Sequence, residues 1–245
     1  AILFPTYGSP DVLELRDVEK PVPNEDEVLI KIHAASANPL DWHRMRADPI
    51  LVRLGDGFFA PKDSRLGADV AGVVEAIGSN VTAFKVGDAV YGEIGAGSFA
   101  EYVCVTEQKI ALKPANLTFE EAAAVPVVGF TALQGLRDSG QIRTGQKVLI
   151  NGASGGVGSF AVQVAKSYGA EVTGVCSTRN LELVKSIGAD HVIDYTQEDF
   201  TDNGQLYDLI YDAVGNRSVS HYARALKPNG KCVIAGFTTL PHIFS

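Results

Sequence analysis

The segment Lys147 to Gly158, KVLINGASGGVG, constrains the fold more than any other stretch of this chain. A short apolar run, Val148-Leu149-Ile150, ends in a glycine cluster that opens an amphipathic segment from Phe160 to Tyr168. Strand, tight glycine turn and helix start together make an anion site, because backbone N–H groups and the positive end of the helix dipole converge there. Set against the pattern G-x-G-x-x-G, the glycine positions fall on Ala153, Gly155 and Gly158, with Ser154, Gly156 and Val157 between them. The first glycine is therefore missing. The context supplies the rest, since Glu171 to Cys176 (EVTGVC) reads as a second strand about 20 residues on, as a dinucleotide-binding βαβ unit requires. The alternative is a glycine-rich turn needed only for close helix–strand packing; the context favours the dinucleotide.

The end of that second strand is the next informative place. An Asp or Glu there would accept from the ribose 2′-OH of NAD. Here the strand runs into Cys176, Ser177, Thr178 and Arg179, with no acid. A carboxylate would repel a 2′-phosphate, whereas two hydroxyls and a guanidinium can hydrogen-bond to it. The residues favour NADPH over NADH. Ser177 and Thr178 can equally cap a helix starting near Asn180, and the two roles are compatible.

Bulk properties remove other classes. A net charge of −8 leaves no general attraction for nucleic acid or an anionic membrane surface. No apolar run approaches the roughly 18 residues of a membrane span, and the start AILFPTYGSPD lacks a signal-peptide pattern. Cys104, Cys176 and Cys232 are odd in number, far apart, and each falls in a strand-like run. Buried free thiols in a reducing, cytoplasmic setting are expected.

The chain changes character near residue 115. Before it come strand-like runs at Val12–Val18, Glu27–Ala35, Val70–Ile77, Ala89–Gly92 and Phe99–Val105, punctuated by Pro21, Pro23, Gly78, Gly87, Gly95 and Gly97. They point to an antiparallel, barrel-like domain over 1–117. Thr118-Phe-Glu-Glu121 is a capping box ahead of the apolar run AAAVPVV, so a helix at the boundary is expected there. Over 118–245, strands (Val148–Ile150, Glu171–Val175, His191–Asp194, Leu209–Ala213, Cys232–Ala235) alternate with helices (Phe160–Tyr168, Leu181–Ile187, Val219–Leu226). The later strands are continuous apolar runs, as in a parallel sheet covered on both faces. This is a doubly wound α/β domain. Gly215 and Gly236, the latter followed by Phe237, close the fourth and fifth strands where a cofactor would cross the carboxyl edge. A six-strand dinucleotide domain would need one more strand after PHIFS, so a chain lacking its final strand is expected.

Four phrases, EVLIKIHAASANPLDWHRMR, LGADVAGVVEAIGSNVTAFKVGDAVYG, GSFAEYV and NGASGGVG, resemble the medium-chain dehydrogenase/reductase superfamily over essentially the whole chain. The nearest likeness is to its zinc-free quinone oxidoreductases and alkenal or enone reductases. The resemblance implies a GroES-like β-barrel domain followed by a Rossmann domain that binds NADP(H). It also implies a C-terminal return to the first domain, expected to lie beyond this chain, and a homodimer of the complete protein. Zinc-dependent alcohol dehydrogenases bind catalytic zinc through a Cys, a His and a second Cys, and the matching positions are similar in place to Asn38, Ala68 and Val127. None offers the thiolate or imidazole that zinc prefers, and the four-cysteine structural lobe is absent because Tyr91–Phe99 is a short glycine-rich turn. No metal site is expected.

Without a metal Lewis acid, hydride donation to an already activated acceptor remains, namely a quinone, an enone or an enal. In an enone the hydride goes to the β-carbon, and a hydrogen bond to the carbonyl oxygen stabilises the developing enolate. By resemblance, Thr131 in GFTALQ matches a position that contacts nicotinamide; the alternative is a helix-interior Thr bonded to a preceding carbonyl. Tyr195 matches a position lying against the adenosine phosphate; the alternative is a strand-end aromatic packed on the sheet. Asn38, on a lost ligand position, can donate to a carbonyl oxygen or hold the nicotinamide ribose, or else stabilise the turn before Pro39. His43 matches a proton-relay histidine of some zinc enzymes, or is a packing residue beside Trp42; Asp41 either joins the catalytic group or caps the short helix toward Met45. Two rivals stand beside the reductase: an enoyl-thioester reductase on the same fold, and a non-enzymatic NADPH-binding sensor or structural protein. The acidic charge disfavours an RNA binder.

Overall fold

The structure, a computed structural model, describes residues 1–236. Phe237 therefore lies outside the described residues. The chain divides into two compact units, Ala1–Val127 and Val128–Ser245, later than the expected 117/118.

In the first unit β1 (Ile2–Leu3) and β2 (Glu14–Leu15) form a small antiparallel pair. The long strand expected over Val12–Val18 is only β2, because Pro10–Val12 coils into a 3₁₀ turn just before it. The main sheet contains β3 (Glu27–Ser36), β4 (Asp69–Ile77), β5 (Ala89–Glu93), β6 (Tyr102–Thr106) and β7 (Ile110–Leu112). All pairs are antiparallel, in the order β6-β3-β4-β5-β7. Val28, Ile30, Val70, Val74, Val90, Val103 and Val105 make its core. β-branched residues suit this pleated, enclosed surface. Between β3 and β4 run α1 (Pro39–Arg46) and α2 (Val52–Asp56).

The expected capping box opens α3 (Phe119–Ala123): Thr118 Oγ1 accepts from Glu121 N–H, and Glu121 Oε2 accepts from Thr118 N–H. That helix buries Ala122 and Ala123 against Ala71 of β4, which is why the boundary falls after it rather than before. It is followed by α4 (Pro126–Gln134), through whose first turn the division between the units passes.

The second unit is a five-stranded parallel sheet made of β8 (Lys147–Asn151), β9 (Glu171–Cys176), β10 (His191–Asp194), β11 (Tyr207–Asp212) and β12 (Leu226–Ile234). Its order is β10-β9-β8-β11-β12, the doubly wound arrangement. The crossovers carry α5 (Gly156–Ser167), α6 (Leu181–Ser186) and α7 (Val219–Ala225). Val148 and Ile150 face one layer, with Ala161, Val162 and Ala165 of α5; Leu149 faces the other, with Tyr222 and Ala225 of α7. α5 buries Gly158, Ala161, Val162 and Ala165, the spacing of one helix face. Each fully buried aliphatic side chain contributes roughly 1.5–3 kcal/mol. No helix among the described residues is long and apolar enough to cross a membrane.

Candidate nucleotide site and the Asn38 cluster

The turn after β8 is built differently from the motif as the sequence presents it. Gly152, not position 153, adopts the left-handed backbone the turn needs, with φ +81°. Gly152 and Ala153 N–H groups both donate to the Val175 carbonyl, which fastens the turn to β9. The working pattern is therefore G-x-x-G-x-x-G on Gly152, Gly155 and Gly158, and no glycine is missing. Ala153 is buried instead, its Cβ filling the space that Gly174 of β9 leaves open.

The remaining glycines divide the labour. A Cβ on Gly158 would lie 2.0 Å from the Gly152 carbonyl oxygen, so this residue lets helix and turn close on each other. Gly155 is exposed, has an ordinary φ of −80°, and a Cβ there would meet only Gly152 O at 3.4 Å. Its free side is where a ligand can approach the backbone. Gly156 is also exposed, and the N–H groups of Gly156, Val157 and Gly158 open α5, where the first turn has no intrahelical acceptors. An exposed helix start with its glycine unencumbered fits a pyrophosphate.

At the end of β9 the three predicted residues separate. Ser177 Oγ accepts from Asn180 Nδ2, which also donates to Ser154 Oγ at 3.0 Å, tying the strand end to the glycine turn. Thr178 is committed: its hydroxyl donates to Asp194 Oδ2 at 2.5 Å, and Thr196 accepts or donates beside it. This corrects its assignment to the 2′-phosphate. Asp194 pairs with Cys176 across β10 and β9, so an acid from the neighbouring strand reaches Thr178. The bond from Thr178, with further ones from Thr196, holds the Asp194 carboxyl below its ordinary range. Arg179 is exposed and makes no ion pair or hydrogen bond among the described residues, leaving its guanidinium available. Tyr195 is 58% exposed, which removes the reading of an aromatic packed on the sheet. Its N–H donates to the Cys176 carbonyl and sets it beside Ser177.

The loop after β11 is organised by Asp212, which the sequence reading did not single out. This wholly buried carboxylate accepts from Val214 N–H at 2.7 Å, Gly215 N–H at 2.8 Å, Asn151 Nδ2 at 3.1 Å and the Tyr222 hydroxyl. Gly215 has φ +63°, so the loop turns at a residue without Cβ strain. Gly236 approaches the same loop closely, since a Cβ there would lie 2.5 Å from Ala213 O. Thr131 of α4 is half-buried; its carbonyl accepts from the Tyr211 hydroxyl of β11 at 3.0 Å.

In the first unit, the three residues expected to do chemistry are mostly engaged in structure. Asp41 Oδ2 accepts from Asn38 N–H at 2.7 Å, capping α1, and Oδ1 accepts from Gly67 N–H at 2.9 Å. Both oxygens are used, which corrects the catalytic reading in favour of the cap. His43 stacks on Trp42 with ring centroids 4.0 Å apart, and its Nδ1 bonds the Asp48 carbonyl, the geometry of a packing residue rather than a proton relay. Asn38 is buried. Its Nδ2 donates to Ser36 Oγ at 3.1 Å and Asp69 Oδ2 at 3.0 Å, so the amide hydrogens are not available to a substrate carbonyl. Asp69, also missed in the sequence, accepts in addition from the Ser36 hydroxyl and from Val127 N–H at 2.9 Å. The only available hint was its place in LGADVAG, next to Ala68.

Comparison with known proteins agrees with this architecture. Residues 24–115 match the family model described as alcohol dehydrogenase GroES-like domain, and residues 156–245 the model described as zinc-binding dehydrogenase. The chain is 44% identical to a 2-methylene-furan-3-one reductase of Solanum lycopersicum, covering 97% of the chain and 62% of the relative. It is 40% identical to a chloroplastic NADPH-dependent alkenal/one oxidoreductase of Arabidopsis thaliana, covering 98% and 64%. With a chloroplast envelope quinone oxidoreductase homolog of the same plant, identity is 38%, with coverage of 95% and 73%. The chain thus spans less than two thirds of the length of the first two relatives. Among solved structures, the quinone oxidoreductase of Coxiella burnetii superposes with TM-score 0.83 at 35% identity, covering 95% of this chain and 74% of that one. The Escherichia coli quinone oxidoreductase complexed with NADPH gives 0.81 at 28% identity, covering 94% and 71%.

Proposed function

The chain belongs to the quinone oxidoreductase-like branch of the medium-chain dehydrogenase/reductase superfamily, and from that premise we propose that it is a zinc-independent, NADPH-dependent reductase of quinones or α,β-unsaturated carbonyls. The observation that carries this is the pairing of an unencumbered Gly155 at the start of α5 with an exposed Arg179 at the end of β9 that makes no ion pair or hydrogen bond among the described residues. The first admits a pyrophosphate, and the second offers a fixed positive charge to a 2′-phosphate.

When bound, a reduced nicotinamide supplies the hydride, which in an enone goes to the β-carbon. The chain's own residues bind and orient. Gly156, Val157 and Gly158 N–H groups would hold the pyrophosphate, Arg179 would read the 2′-phosphate, and Tyr195 would lie along the adenosine side. The loop that Asp212 shapes around Gly215 borders the carboxyl edge, and Thr131 would meet the nicotinamide. Asp41 and His43 are engaged elsewhere, which leaves solvent as one source of the α-carbon proton. Zinc independence is supported by Asn38, Ala68 and Val127, which provide neither thiolate nor imidazole. The three free cysteines support a reducing, cytoplasmic setting, and a homodimer completes the proposal.

The test is loss of NADPH absorbance with a quinone, a linear enal and an enoyl-CoA as acceptors, with NADH in parallel. Turnover with NADPH but not NADH on a quinone or enal supports the reading. Preference for enoyl-CoA moves the protein to thioester reduction, and binding without turnover on any acceptor overturns the enzymatic assignment.

A further inference from the structure

Asn180 is the N-cap residue of α6, a place where an asparagine side chain usually bonds the first turn, yet its amide makes no cap bond. It turns back instead. Nδ2 donates to Ser154 Oγ of the glycine turn at 3.0 Å and to Ser177 Oγ at the end of β9 at 3.2 Å. The amide nitrogen carries two hydrogens, so each serine receives one. All three residues are half-buried, and Gly155, next to Ser154, is exposed. The amide thus joins the two places in the second unit where phosphate groups are expected.

The direction of these bonds matters more than their strength. A hydroxyl has one hydrogen to give and an oxygen that accepts. Because Nδ2 can only donate, it occupies the oxygens of Ser154 and Ser177 and leaves both hydroxyl hydrogens free. Neither hydroxyl donates to any group among the described residues. Turned the other way round, the same amide would take both hydrogens on its oxygen. Ionised phosphate oxygens accept, and a hydroxyl that donates to one makes a charge-assisted hydrogen bond. We propose that Asn180 is a positioning residue for NADPH: its amide aims the Ser154 hydroxyl at the pyrophosphate and the Ser177 hydroxyl at the 2′-phosphate, and sets the spacing between them. One side chain thereby serves two phosphate groups without touching either. The proposal rests on the nucleotide site of the reductase reading, and adds a link between the ends that Gly155 and Arg179 serve separately.

The test is nucleotide affinity, read by calorimetric titration of the full chain in a double-mutant cycle. Asn180→Ala should weaken NADPH by about 10- to 100-fold and NADH by about 3- to 10-fold, because both carry the pyrophosphate and only NADPH the 2′-phosphate. A merely structural asparagine would weaken binding whatever the serines carry. In a Ser154→Ala/Ser177→Ala background, therefore, Asn180→Ala should weaken NADPH by no more than about twofold further, since no hydroxyl remains to be aimed. Asn180→Asp keeps the size and takes both serine hydrogens, and it serves should the alanine variant not fold. Its nucleotide-free melting temperature should stay near wild type while NADPH weakens by at least about tenfold. Unchanged NADPH affinity in Asn180→Ala, an undiminished loss in the background without serines, or wild-type affinity in Asn180→Asp overturns the proposal. Because binding is the readout, failure to reduce any acceptor removes the reductase reading alone, and the Kd values still decide Asn180. A wild type that binds neither nucleotide overturns both.

Discussion

Gly158 lies so close over Gly152 that a Cβ on the former would come 2.0 Å from the carbonyl oxygen of the latter. The partner atom is backbone and cannot swing aside. Gly158→Ala should therefore destabilise the second unit by about 3 kcal/mol, read from denaturant unfolding, the upper range for overpacking.

Gly155→Val tests the same turn from its open side. Position 155 has an ordinary φ and one distant neighbour, so the variant should fold with nearly unchanged melting temperature. It should lose NADPH and NADH binding alike, because the branched side chain stands where the pyrophosphate comes closest. Retained affinity in titration calorimetry would show that the turn is not the nucleotide site.

Arg179→Ala should weaken NADPH by about 10- to 100-fold, the loss of one or two charge-assisted hydrogen bonds, and leave NADH nearly unchanged. Equal losses for both nucleotides would remove Arg179 from the 2′-phosphate.

How much of this could be read in the chain depends on separation. The cap on α3 is spelled by Thr118 and Glu121 three residues apart, and the parallel strands by unbroken apolar runs. The role of Asp41 as a cap was legible for the same reason. Gly152 was hidden by a one-residue shift, since a consensus string carries no φ angle. Thr178 looked free because the acid that claims it, Asp194, sits 16 residues away and arrives only through strand pairing. Asn38 and Asp69 are 31 residues apart, and nothing local announces that a buried carboxylate will hold the amide.

Acid should unfold the protein in a predictable window. Burial opposes the charge on Asp190, but Lys166 Nζ at 2.7 Å and Val172 N–H at 2.7 Å outweigh it and hold the carboxyl below its ordinary range. Asp208, gripped by Lys227 and Lys147 N–H, behaves alike. A carboxyl depressed in the folded state adds stability above its unfolded pKa of about 4 and loses it as pH falls through the folded value. Melting temperature should thus hold steady down to about pH 5 and drop below about pH 4. Asp190→Asn should melt lower than wild type at pH 7 and show a shallower drop in acid.

Metal analysis of the purified protein should find zinc well below one per chain, and prolonged chelation should leave NADPH oxidation intact. Stoichiometric zinc with loss of activity on its removal would contradict the donor set at Asn38, Ala68 and Val127.

The bond from Tyr211 to Thr131 has a mechanical consequence. A helix carbonyl ordinarily spends its acceptor capacity along its own axis, yet this one also answers to a strand. Gly135 makes the contact possible, because any Cβ there would strike the Tyr211 ring, and from Gly135 to Ser139 the helix widens into a π turn. The mount is transverse rather than axial. Thr131 takes its bearing from the sheet through Tyr211, so a shear of this helix along the sheet must strain that bond and carry the Thr131 backbone out of line.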